Sequence, residues 1–136
     1  MAIKKNFNLN IEYSYRLSVT YKVSCRVILA GPAGSDDVAV IKDRLEDGIY
    51  FIPGQVLLPD LRCAFHESER AWDKLVDHPW HELDKINLTK LSPTDWFDVS
   101  AREVAEVFCA VRWDDDYLPG PVKPWFLSQE VVPPAG

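Results

Sequence analysis

Between Phe7 and Leu29 every odd-numbered residue is apolar or aromatic, and every even-numbered residue from Asn8 to Arg26 is polar or charged. Alternation this strict requires a sheet with one buried face and one wet face. Drawn straight at roughly 3.3 Å per residue, the stretch would span roughly 76 Å. A compact domain of 136 residues is only about 37 Å across. The stretch therefore bends sharply or folds back once. Inward parity is the same on both halves, which demands either an odd-length loop or a bulge that coils a continuous strand. For a hairpin, the expected tip is Ser14-Tyr15-Arg16-Leu17-Ser18.

The rest of the chain supplies what such a sheet needs to be covered. Residues 35–48 carry Ser35, Asp36 and Asp37, then Val38, Ile41 and Leu45 at helical spacing before Gly48. That predicts a helix capped by Ser35 and ended by Gly48, with a hairpin turn at Asp47-Gly48 as the alternative. Ile49–Ile52 reads as a short strand turned at Pro53-Gly54 toward Gln55–Leu58. Pro59-Asp60 opens the clearest helical pattern, in which Leu61, Ala64, Phe65, Ser68, Trp72, Leu75 and Val76 share one face. Arg62, His66 and Arg70 lie on its opposite, solvated side. Pro79 interrupts the helical pattern, and Ile86–Thr89 predicts another strand. Ser100-Ala101-Arg102-Glu103 has capping-box spacing and begins a helix expected to end near Trp113.

These elements predict an α+β fold in which two to three helices pack on one face of a curved, mainly antiparallel sheet. Residues 1–118 are expected to form one domain. Residues 119–136, with five of the chain's ten prolines and the apolar Trp125-Phe126-Leu127, form an arm expected to dock on its own or a neighbouring subunit. The net charge of −6 is uneven: residues 1–34 hold five cations and one acid (+4), and the remainder ten cations and twenty acids (−10). Whole-chain acidity argues against nucleic acid as partner. The polarity permits complementary contacts between subunits, so a homo-oligomer or another protein partner is expected. No apolar run reaches the ~20 residues of a membrane helix. Three widely spaced cysteines, Cys25, Cys63 and Cys109, suggest no disulfide framework, and a cytoplasmic setting is expected.

Two constellations suggest chemistry. Cys63-x2-His66 followed by His78-x2-His81 gathers all three histidines within nineteen residues, a ligand arithmetic that resembles a tetrahedral zinc site. The same residues offer a catalytic alternative, with His78 or His81 as a base oriented by Asp77, Glu82 or Asp84 and Cys63 as nucleophile. Without a metal or a nucleophile turn, His78 and His81 simply bond loop carbonyls around Trp80. A further acidic run, Asp114-Asp115-Asp116, reads as the solvated end of the last helix, with divalent-cation binding as the alternative. The function favoured by these residues is a non-catalytic binding or interaction protein without a cofactor. Its pocket for a small apolar ligand would lie between the concave sheet and the His78–Glu82 loop, using Trp80, His81 and Trp96.

Overall fold

The computed structural model describes residues 7–16, 22–62, 78–94 and 98–117. The long alternating stretch is a hairpin of β1 (Phe7–Arg16) and β2 (Lys22–Ala33). It is followed by α1 (Ser35–Asp43), β3 (Tyr50–Phe51), a 3-10 turn (Pro53–Val56), β4 (His81–Thr89) and α2 (Ala101–Ala110). The four strands make one antiparallel sheet in the order β2-β1-β4-β3, curled into a half-barrel with the two helices packed against it. No described helix is long and apolar enough to cross a membrane.

Pairing runs through Tyr15↔Val23 and Arg16↔Lys22. Five residues separate these two strands, an odd number that preserves parity, and the expected tip at 14–18 is corrected because residues 14–16 are still paired within β1. Tyr15 explains the difference. Its side chain is fully buried and its ring packs, tilted, at 4.8 Å from that of His81 and 4.9 Å from that of His78, so β1 must continue past it.

Leu9, Ile11, Tyr13 and Tyr15 of β1 and Val27 and Leu29 of β2 point into the core with Ile41 of α1 and Val104, Ala105 and Phe108 of α2. Tyr13 meets Phe51 edge-on at 5.2 Å and donates its hydroxyl to the Pro59 carbonyl at 2.6 Å. On the outer face Arg16 and Arg26 are exposed, as alternation demands, yet Asn10 (5%) and Ser14 (0%) are buried. β1 is a central strand, so its short side chains lie between flanking strands: Asn10 donates to Asn87 across the sheet and to Glu12. The outer edge of β2 is partly taken. Thr94 bonds both the Ile28 amide and carbonyl, and Ala30 bridges Ser100. Such cover leaves fewer free backbone groups for pairing with another chain.

Gly31 sits where the register shifts between Phe7 and Leu9. A Cβ there would lie 1.9 Å from the Phe7 carbonyl oxygen, a collision with backbone that no rotamer relieves. Gly31→Ala should therefore lower the unfolding free energy by about 2–3 kcal/mol. A denaturant titration returning a loss below about 0.5 kcal/mol would show that the β1–β2 bulge has room to spare.

Local details depart from expectation where a tertiary partner intervenes. α1 is capped by Gly34, whose N–H donates to Asp37, and stops at Asp43. Asp47 (φ 53°) and Gly48 (φ 71°) then make a tight turn closed by the Glu46–Tyr50 bridge, so the helix and the turn alternatives are both realised in succession. Gln55–Leu58 is not the return strand. Tyr50 and Phe51 pair instead with Glu82 and His81, and the chain after Pro53 winds into a 3-10 turn ended by left-handed Leu57. β4 starts at His81, five residues before the expected strand. α2 has the expected reciprocal cap between Ser100 and Glu103 but ends at Ala110. There Arg44 donates to the Phe108 and Val111 carbonyls, satisfying groups a longer helix would use itself. The helix expected beyond Pro59, with Trp72, and the arm 119–136 lie outside the described residues.

Candidate functional site

The start of β4 meets the end of β1 beside β3, and each strand sends alternate side chains to opposite faces. Toward the core this junction places His81, Tyr13, Tyr15 and Phe51, all fully buried. Toward the outside it places Arg16, Glu82 and Tyr50, since Tyr50 opposes Glu82 and Glu82 opposes Ser14. Over that outer side opens a cleft of about 500 Å³ lined by Arg16, Glu46, Asp47, Tyr50, His78, Trp80, Glu82 and Asp115. It adjoins the His78–Glu82 segment and lies on the outer face, not the concave one. The reason is packing: the concave side of the junction is filled by aromatic rings.

Hydrogen bonds fix the cleft walls. The His78 amide donates to the Tyr15 hydroxyl at 3.1 Å. Its ring Nδ1 accepts from the Trp80 amide at 3.2 Å, leaving Nε2–H to donate to the Arg16 carbonyl at 3.2 Å. The Trp80 indole donates to Asp115 at 2.9 Å and meets Trp113 edge-on at 6.0 Å. Asp115 is held in turn by the segment around it. Gln55 donates to the Arg112 carbonyl and accepts from the Asp114 amide, both at 2.9 Å, and Arg62 donates to the Tyr117 carbonyl. Arg16 pairs with Glu82 at 3.3 Å. On the far wall the left-handed turn presents Glu46 and Asp47, both exposed.

Behind the cleft His81 is a structural group. Nε2 accepts from the Leu61 amide at 3.0 Å, and Nδ1–H donates to the Pro79 carbonyl at 2.9 Å. Burial drives its pKa down to about 4, outweighing Asp60, whose carboxylate lies 3.7 Å from Nε2. Asp60 is bound to Arg62 by two Nε contacts and an Nη2 bond of 2.7 Å. Arg62 is 2% exposed, so its expected place on a solvated helix face is corrected: it lies inside, because Asp60 two residues away supplies a matching carboxylate.

The sequence-derived candidates thus separate. His78 and Trp80 line the cleft and His81 backs it, while Cys63, His66 and Trp96 lie outside the described residues. Of the carboxylates offered as orienting groups, Glu82 faces Arg16, and Asp84 is exposed on β4. Asp114–Asp116 do not converge. Asp114 accepts the Asp116 amide, and Asp115 turns to Trp80. Among the described residues no group of three His, Cys, Asp or Glu side chains is placed to hold a metal ion. Burial pushes the Cys25 thiol up to about 12, so it carries no thiolate at neutral pH. Arg16, Glu46, Asp47 and Tyr50 are not evident from the sequence as site residues, and Asp115 is evident there only as a member of an acidic run. The one usable signal was the Asp47-Gly48 turn, which marks a projecting loop but not what it faces. No family model matches the chain, and no curated protein or solved structure matches it.

Proposed function

We propose that the protein is a non-catalytic binding protein that holds a small ligand in the cleft between Trp80, Tyr50 and His78. The observation that carries this reading is the way the cleft is built. Its volume of about 500 Å³ lies in the ordinary range for ligand sites. Its central side chains are already held, Trp80 by Asp115 and His78 by Trp80 and Arg16. A preorganised wall loses little freedom when a ligand arrives, which leaves more of the contact energy for affinity. The occupied ring nitrogens of His81 support a structural role for that histidine over a catalytic one. The mixed polar and aromatic lining favours a polar or charged ligand over the purely apolar one expected from composition.

A fragment screen by NMR tests this directly, with the Trp80 indole N–H and the Tyr50 amide as reporters. Saturable shifts at both positions from at least one fragment are expected. If cationic, neutral and anionic fragments all leave the two signals unmoved, the binding reading falls.

A further inference from the structure

Resting on that reading, we propose that the ligand seated in this cleft presents an organic cation, an alkylated ammonium group placed against Trp80 and Tyr50. The cleft lining sets four carboxylates, Glu46, Asp47, Glu82 and Asp115, against one guanidinium, Arg16. Arg16 lies on Glu82, so the local surplus of negative charge sits on the opposite wall and beside Trp80. Neither Glu46 nor Asp47 forms an ion pair among the described residues.

Three ligand classes fare differently here. An anion meets like charge on two walls. An uncharged apolar ligand strips water from carboxylates and returns no partner for them, which is costly. A bare metal ion needs several oxygen ligands in convergence, and the described carboxylates do not converge. An alkylated ammonium group differs on each count. Its charge is spread over methyl groups, it sheds water readily, and it gains from aromatic rings and from nearby carboxylates. The Trp80 indole N–H is bonded to the Asp115 carboxylate, which increases electron density on the ring and strengthens its attraction for a cation. Low-dielectric walls focus the field of the acidic side chains into the cleft.

The test compares choline with its uncharged carbon isostere, in which a tert-butyl group replaces trimethylammonium. Both are titrated into the whole protein, with the Trp80 indole and Tyr50 amide signals as readout. The same titrations are run on Glu46→Gln/Asp47→Asn, two exposed positions where asparagine still accepts the left-handed backbone of residue 47. Saturable choline binding is expected, with the isostere weaker by about tenfold or more and the double variant weaker by about fivefold, as the size of cation–π and Coulomb contributions suggests. Added salt should weaken choline alone. Equal affinity for choline and its isostere, or unchanged choline affinity in the double variant, overturns the cation assignment. Shifts from neutral or anionic fragments with none from choline also overturn it, while leaving the binding reading intact. Silence from every fragment class removes the reading itself.

Discussion

Lowering the pH from about 6.5 to about 4 should reduce the unfolding free energy by about 3 kcal/mol through His81 alone. Burial is the main cause of its depressed pKa, with Arg62 acting in the same direction and Asp60 opposing. A histidine whose folded pKa lies below its unfolded value binds its proton preferentially in the unfolded chain. Its contribution to stability is therefore complete above 6.5, falls as the pH drops through the window, and is gone below about 4. Geometry gives the same sign. Protonated Nε2 would confront the Leu61 amide, two donors facing each other inside the core. Denaturant titrations across this window should show the loss in the native protein and a flatter dependence in His81→Gln, whose amide cannot titrate. Parallel curves for the two proteins would mean that His81 is not held neutral by burial.

Separating Asp60 from Arg62 should be as damaging. Asp60→Asn leaves a buried guanidinium and Arg62→Met a buried carboxylate, and each should cost about 3–5 kcal/mol. Both side chains are nearly sealed from solvent, at 3% and 6% exposure, so screening offers little relief. Replacing both removes the stranded charge, and the double variant should be far less destabilised than the sum of the singles. A second readout links this pair to His81. Without Arg62, one of the charges that oppose Asp60 is gone while burial remains, so Arg62→Met should raise the pKa of His81 part of the way and narrow the acid window. Single substitutions costing under about 1 kcal/mol would show that the pair behaves as a surface ion pair.

Arg62 shows how a tertiary partner overrides local periodicity. Helical periodicity compares a residue only with others on its own segment, and by that measure Arg62 belongs on a wet face. The Asp60 carboxylate, the Tyr117 carbonyl and the core around His81 reverse the assignment. His81 itself looked like a ligand or a base because its segment holds other histidines. Only the approach of the Leu61 amide and the Pro79 carbonyl reveals that both nitrogens are spoken for.

What the amino-acid order determined by itself was local. The odd positions of 7–29 specify which side of the hairpin is buried, because a period of two allows no other partition over such a length. Ser100 and Glu103 specify where α2 begins, because the cap is made within one turn. Asp47-Gly48 specifies a turn, because few other pairs accept a left-handed backbone. Tertiary structure alone decided the rest. β4 lies beside β1 across some seventy residues of sequence, Tyr50 pairs with Glu82 rather than with the chain after Pro53, and Asp115 reaches Trp80. The cleft exists only where those three contacts coincide. Each is a long-range pairing chosen by shape and charge between segments that carry no mark of one another.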